Sequence, residues 1–534
     1  MTAALAQPVT IIGAGPVGQS AALLLARWGV PSVLLDQRAA RDRVGSKSIC
    51  QQREVLDIWA AVGTGQQIAA EGVTWRTART YYRDRELFNI TLADPGRSPF
   101  PPFVNISQSR TEEILDAGIA AEPLVEPRWS HRVIGIEPDR DGVALRCATP
   151  TGPVVISAPY VLACAGAHGD LVRAELGVEF AGDSFADRFL ICDIAANLPG
   201  WEQERRFYFD PAWNPGRQVL IHPCPNSTYR IDWQVPPDFD LAAEERGGGL
   251  DRRIRAILGD VEYRLLWRTD YRFHARCVDR MRVGRVLLAG DCAHLMAPFG
   301  ARGLNSGVQD AENAAWKLAF VLSGWAPPGL LDSYHAERHA AAVENLDVTS
   351  TTMRFLVPPS EADRARRLAV LDQARSDPRA TREVDSGRLA EPFWYVDSPL
   401  TSPDPSRPVP VRPPRGATPP VAPGVLVPDV PLRAGHPAGT RLRELVRDGL
   451  LILTASEAPD PGLVIGWARA VTSAPVRAYS MAALSDELEP LLAARPDEAW
   501  LIRPDGHLAA VLDAGDERSL ATAIRRCLAL PAPG

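Results

Sequence analysis

The chain has 534 residues, enough for about three domains, and 46% of them are hydrophobic, enough to fill several cores. A net charge of −7 offers no broad attraction for nucleic acid or an anionic membrane surface, so neither is expected as a partner. With no signal-type N-terminus, no uninterrupted apolar run of ~18 residues and eight cysteines outside any Cys-x-x-Cys or Cys/His cluster, a cytoplasmic protein with reduced thiols and no metal site is expected.

Val9 to Ile12 read as a buried strand, followed by Gly13-Ala14-Gly15-Pro16-Val17-Gly18 and a helix with Val17, Ala21, Leu24 and Trp28 on one face. In that context Gly13 permits a tight turn, Gly15 lets a pyrophosphate approach the backbone, and Gly18 lets helix and strand pack closely. A second strand, Ser32 to Leu35, ends in Asp36, next to Gln37, where an acidic side chain can accept hydrogen bonds from a ribose. This fingerprint alone does not separate FAD from NAD.

Gly45 to Glu54, containing Lys47, leads into a helix, and Asn105-Ile106-Ser107-Gln108 precedes another. His131 to Cys164 shows period-two runs with turns at Arg140-Asp141-Gly142 and Thr151-Gly152-Pro153, a β-meander closing on a strand at Tyr160 to Cys164. Ala165-Gly166-Ala167-His168-Gly169-Asp170 follows. Further strands are expected at Val73 to Ile90, Arg188 to Ile194, Arg206 to Phe209, Gln218 to His222 and Tyr229 to Val235. In the last of these, apolar odd positions alternate with Arg230, Asp232 and Gln234, so one face should be wet or face a ligand.

Val286 to Ala289 form a short apolar strand ending in Gly290-Asp291, and a Pro/Gly-rich loop with Pro298, Arg302, Gly303, Leu304 and Asn305 leads to a helix. Ser306-x-x-Gln309 predicts a capping-box start for that helix. A carboxylate beside free N–H groups at a helix start suits a ribityl chain and an anionic ring edge.

The stretch from Arg285 to Leu318 resembles the second flavin-binding motif of aromatic hydroxylases of the para-hydroxybenzoate hydroxylase and phenol hydroxylase type, whose motifs occur here in the family's order. The resemblance implies FAD as cofactor, NADPH or NADH as cosubstrate, and hydroxylation of a phenolic or polycyclic aromatic ring by O2 through a flavin C4a-hydroperoxide. It places Lys47 and Gln108 along the flavin, Pro298, Gly303, Leu304 and Asn305 at its pyrimidine edge, and Arg230 where an Arg helps swing the ring system. At the family's Asp-Gly motif, Ala165 replaces the Asp. His222 and Asp232 are candidates for substrate deprotonation. Because no Arg stands at His222 to Cys224, where benzoate-hydroxylating relatives bind a carboxylate, a neutral or phenolic ring is expected. Ring-opening or Baeyer–Villiger oxidation, and a non-catalytic FAD-binding protein, remain rival readings.

The expected fold is mixed α/β: a Rossmann-like FAD domain (residues 1–72, 98–180 and 271–395), an inserted β-sheet substrate domain (73–97 and 181–270), a linker or strap (396–431) and a thioredoxin-like domain without Cys-x-x-Cys (432–534), acting as a monomer or homodimer. Twelve prolines between Pro399 and Pro431 exclude helix or central strand there.

Overall fold

The structure, a computed structural model, describes residues 7–42, 45, 48–91, 98–385, 387, 389–409 and 419–532; Lys47 lies outside them. Among the described residues, the first glycine-rich segment belongs to a six-stranded sheet in the order Arg282–Val283, Val286–Leu288, Val161–Ala163, Val9–Ile12, Ser32–Leu35, Val125–Arg128. The inner strands pair in parallel and are buried on both faces, the situation that selects unbroken apolar runs such as Val9–Ile12. Helices Pro16–Arg27 and Gly303–Leu322 pack together over this sheet. The expected meander is the antiparallel trio Arg132–Pro138, Val143–Thr149, Gly152–Ala158.

The second of these helices carries a correction. The helix expected to start at Ser306 begins three residues earlier, at Gly303, with no side-chain cap. Ser306 sits inside its first turn, where its Oγ and carbonyl both accept from Arg338 Nη2 at 3.2 Å, so the hydroxyl is not available to cap the helix.

A second, eight-stranded sheet runs His294–Leu295, Tyr263–Val278, Phe180–Ala196, Thr228–Val235, Gln218–Cys224, Glu204–Phe209, Thr77–Tyr82, Arg85–Thr91. Its two longest strands, Phe180–Ala196 and Tyr263–Val278, run continuously out of the region beside the parallel sheet, and their pairing shifts register between Ser184 and Arg188, where a bulge bends the ladder. The alternation in Thr228–Val235 does not give a wet face. Arg230 and Gln234 are 3% exposed, because Arg230 pairs with Asp193 and Gln234 donates to Asp187 at 2.6 Å.

The described part of the proline-rich segment, 399–409 and 419–431, holds no helix and is an extended strap from 419 on. It lays Val425, Val427 and Val430 against the C-terminal domain and exchanges backbone hydrogen bonds with the hairpin through Gly424, Val425 and Val427. That domain is a four-stranded sheet, Val476–Ser480, Leu450–Thr454, Glu498–Ile502, Leu508–Asp513, with the first pair parallel and the others antiparallel. Helices Pro461–Val471 and Glu517–Cys527 pack together beside it. Its one cysteine, Cys527, is buried, which removes thiol exchange.

Candidate active site

Each glycine of the first turn meets a different constraint. Gly13 has φ +106°, and a Cβ there would lie 2.3 Å from the Cys164 carbonyl oxygen. A Cβ on Gly18 would lie 1.9 Å from the Gly13 oxygen, whereas one on Gly15 would meet nothing within 4 Å. The open side of Gly15, at the start of helix Pro16–Arg27, is the fit a bound pyrophosphate requires. Asp36 follows strand Ser32–Leu35 and accepts from Ala14 N–H at 2.9 Å and from the Arg38 guanidinium. Burial works against its charge, yet Arg38 and these N–H groups hold it below the usual carboxylate value. Gln37, beside it, is exposed.

Two other motif loops close on the same sheet edge. Ala165 opens a 3-10 turn, Gly166–His168, next to Gly13, and Arg173 ties this turn to the Asp291 loop by donating to the Cys292 carbonyl at 3.1 Å. Asp291 lies half-buried in the turn Gly290–Cys292. Beyond it, Pro298 is exposed, and Gly303, Leu304 and Asn305 open the 20-residue helix with the first-turn N–H groups that no i−4 carbonyl can satisfy. The Asn305 side chain is committed elsewhere. It accepts from Gln52 N–H at 2.8 Å and donates to the Cys50 carbonyl at 3.0 Å, fixing strand Cys50–Gln52 beside the helix start. Gln108 accepts from Ser48 N–H at 3.1 Å and donates to Glu112 at 2.8 Å, while its neighbour Ser107 caps the helix.

The eight-stranded sheet presents its other candidates on one face. Residues directly opposite in a ladder share a face. His222 is opposite Arg230, Arg230 opposite Asp193, and Asp193 opposite Trp267, so these four line up across four strands. Asp232 is two residues further along this face, and Phe189, Phe207 and Tyr271 continue it. The face abuts the parallel-sheet domain: Asn105 Nδ2 donates to the Pro223 carbonyl at 2.8 Å, and Trp267 Nε1 would be 3.3 Å from a Cβ on Gly45. Tyr271 is close enough to Asp291 to feel its charge.

The electrostatics of this face are unusual. Burial pushes the Asp232 carboxyl up to about 7 against the pull of Arg230, and its Oδ1 has no hydrogen-bond partner. Burial, then Arg205 and Arg230, push His222 well below the ordinary imidazole value, so it stays neutral, and its Nδ1 is likewise unpartnered. Arg230 is held to Asp193 by two bonds, of 2.8 and 3.0 Å. Arg205 was not singled out by sequence. It is 6% exposed and reaches His222 from the neighbouring strand, so the face does carry a cation where counting at His222 to Cys224 found none. Its place in Glu204-Arg205-Arg206-Phe207 was the available signal, since period two puts it with Phe207 and Phe209.

A groove of about 820 Å³ lies at the far edge of the sheet, with Phe88, Ile90, Phe355 and Val384 in its walls. Gly387, another wall residue, packs on Phe299 and Gly300 of the Pro298 loop.

The model of the family described as FAD binding domain matches residues 6–349, and that described as aromatic-ring hydroxylase, C-terminal, matches residues 421–531. The chain belongs to the FAD-binding aromatic-ring hydroxylase family. It is 32% identical over 373 residues, 68% of this chain and 72% of the relative, to the 12-dehydrotetracycline 5-monooxygenase/anhydrotetracycline 6-monooxygenase of Streptomyces rimosus. It is 30% identical over 377 residues to a 3-(3-hydroxy-phenyl)propionate/3-hydroxycinnamic acid hydroxylase of a Mycobacterium strain, covering 70% of this chain but 64% of that relative's length. Aklavinone-11 hydroxylase, solved with FAD and aklavinone, superposes with a TM-score of 0.79 at 25% identity, over 98% of this chain and 99% of that one. The flavin-dependent monooxygenase PieE shares the fold, with a TM-score of 0.86 at 23% identity over 98% of this chain and 99% of that one. The mixed α/β fold and FAD as cofactor, expected from the motifs, therefore hold. Among the described residues no helix is long and apolar enough to cross a membrane.

Proposed function

We propose that the chain is an NAD(P)H- and O2-dependent hydroxylase of a phenolic or polycyclic aromatic substrate. The observation that carries this reading is the sheet face opposite the Gly290–Asn305 loop, where Asp232, with its carboxyl up to about 7 and an unpartnered Oδ1, stands near neutral His222 and the Arg205 and Arg230 guanidinium groups. Such a face can take the proton of a phenol at Asp232 Oδ1, with neutral His222 Nδ1 accepting a hydrogen bond that orients the ring, and stabilise the phenolate with positive charge, the form in which a ring accepts electrophilic oxygen. FAD, held at Gly13 to Gly18, Asp36, Asp291 and the first turn of helix Gly303–Leu322, supplies the redox and oxygen chemistry. The aromatic cluster of Phe189, Phe207, Phe273 and Phe299 beside this face excludes water.

In this reading residues 1–72, 98–180 and 271–395 bind FAD, 73–97 and 181–270 bind substrate, and the enzyme works in the cytoplasm as a monomer or homodimer. Anaerobic stopped flow against a panel of phenols, naphthols and polycyclic quinols tests it. NADH or NADPH should bleach the flavin faster with a substrate bound, and oxygen should then appear in the product; no bleaching with any aromatic compound that binds would overturn the reading.

A further inference from the structure

The C-terminal domain lacks a thiol pair, but it does not merely sit beside the FAD domain. Arg503, in the turn between strands Glu498–Ile502 and Leu508–Asp513, is fully buried and reaches across to Glu337 on helix Asp332–Leu356, with Nη1–Oε1 2.5 Å and Nη2–Oε2 2.9 Å. Asp505 in the same turn accepts from Arg503 at 2.6 Å and from Trp316 Nε1 at 3.3 Å. Glu337 also accepts from Lys317 Nζ at 2.6 Å and Asn313 Nδ2 at 2.8 Å, both on helix Gly303–Leu322, and from Ser398 Oγ at 2.5 Å.

The next residue, Arg338, carries the chain of contacts to the flavin loop. Its Nε donates to Asp310 Oδ1 at 2.6 Å, and its Nη2 to Ser306 O and Oγ in the helix's first turn. Asp310 Oδ2 in turn accepts from Gly290 N–H at 2.9 Å and lies 2.7 Å from His294 Nε2. Lys317, Arg338 and Arg503 are thus balanced by Asp310, Glu337 and Asp505, every one of the six at most 2% exposed. Tyr395, which accepts from Arg338 Nη1 at 2.8 Å and stacks its ring under Arg503 at 5.0 Å, bridges the two ends.

A dry, balanced set of charges has few alternative arrangements, because each ion left alone in a low-dielectric interior is costly. A displacement at Arg503 therefore propagates to Glu337, Arg338 and Asp310, and from there to the N–H of Gly290, which neighbours Asp291. We propose that Arg503 and Glu337 are positioning residues for FAD, through which the C-terminal domain sets the Gly290–Asp291 turn and the start of helix Gly303–Leu322. The inference depends on FAD binding and not on hydroxylation, so its test reads FAD directly and can fail or succeed independently of the proposed reaction.

The same domain offers an internal control. Arg447 also spans the interface, donating to Glu312 at 2.8 Å and Asp57 at 3.1 Å, but among the described residues no hydrogen bond joins either carboxylate to Asp310. In the full-length holoprotein, Arg503→Met is expected to weaken FAD binding at least 10-fold and to shift the flavin's visible circular dichroism and midpoint potential. Arg447→Met is expected to lower Tm by a comparable amount while FAD affinity and potential stay within 2-fold and within error of the parent. In a cycle with Asp310→Asn, the Arg503→Met effect on FAD affinity should be less than additive. Should Arg503→Met fail to fold, Arg503→Lys, which keeps the charge but loses the fork shared by Glu337 and Asp505, and Ser398→Ala, which removes one donor to Glu337, replace it, with a smaller shift in the same direction expected. Equal effects of the Arg503 and Arg447 variants on FAD, or a loss of Tm with unchanged affinity and potential, overturn the proposal.

Discussion

The two glycine-rich loops at the edge of the parallel sheet are held in opposite ways. The Gly13–Gly18 turn is fixed by backbone contact: a Cβ at Gly13 or Gly18 would collide with main-chain oxygen, at 2.3 and 1.9 Å. The Gly290–Asn305 loop is fixed by buried charge and amide groups: Asp310, held by Arg338 and His294, accepts from the Gly290 N–H, and Asn305 donates to the Cys50 carbonyl of the strand beside it. Steric constraint is local and written in the glycines themselves. Charge constraint is assembled from residues 16 to 166 positions apart, and the loop sequence alone does not reveal it.

The largest effect is expected where sterics rule. Gly18→Ala places a methyl carbon against the Gly13 oxygen, and neither main-chain segment can withdraw without unseating helix Pro16–Arg27. Overpacking of this kind costs on the order of 1–3 kcal/mol or more. The apo protein should lose several degrees of Tm or fail to fold, while Gly15→Ala, with open space around its Cβ, should leave apo Tm unchanged and weaken FAD alone. Equal Tm losses in the two variants would break the distinction between a packing glycine and a ligand glycine.

That distinction also marks what was legible beforehand. The strand-turn-helix at Val9–Arg27, the strand ending before Gly290 and the meander Arg132–Ala158 follow from apolar runs interrupted by Gly, Pro and Asp, signals that act within a few residues. The helix start at Gly303 did not, because Ser306 matches a cap in sequence but its hydroxyl is taken by Arg338, 32 residues away. Likewise Asp310, Glu312 and Lys317 stand out as charges in an otherwise Ala- and Leu-rich helix, a sign that partners must exist. Their identity, Arg338, Arg447 and Glu337 in turn, comes only with tertiary packing. On the sheet face, alternation marked Arg230 and Asp232 and left two outcomes, wet or ligand-facing; the buried counter-ion at Asp193 takes the place of water at Arg230.

The sheet face allows the comparison to be sharpened by pH. Folding raises the Asp232 carboxyl from its usual 3.8 to about 7, so the native state takes up a proton that the unfolded chain has released. Stability from this group is therefore full below about pH 4 and declines as pH rises toward 7. Catalysis runs the other way, because a base must be ionised. kcat/KM should rise through a limb near pH 7, and Asp232→Asn should remove that limb, lower the plateau about 100-fold and flatten the stability profile. An unchanged limb in Asp232→Asn would shift the role to another group.

A smaller effect separates the two carboxylates of the second loop. Asp310 is 0% exposed and tied to Arg338, His294 and Gly290, so it belongs to the scaffold. Asp291 is half-buried, one residue beyond that scaffold, on the side where Tyr271 and the sheet face lie. A carboxylate that accepts from ribityl hydroxyls contributes roughly 1.5–3 kcal/mol, the range of a charge-assisted bond. Asp291→Ala is accordingly expected to weaken FAD about 10- to 100-fold, yielding largely flavin-free protein on purification, with the apo Tm within a degree or two of the parent. Asp291→Asn keeps the shape and one acceptor and should fall between. Titration of apoprotein with FAD, followed by flavin fluorescence, measures both: a full, tightly held flavin in Asp291→Ala would move the ligand-binding role from this side chain to the helix N-terminus alone.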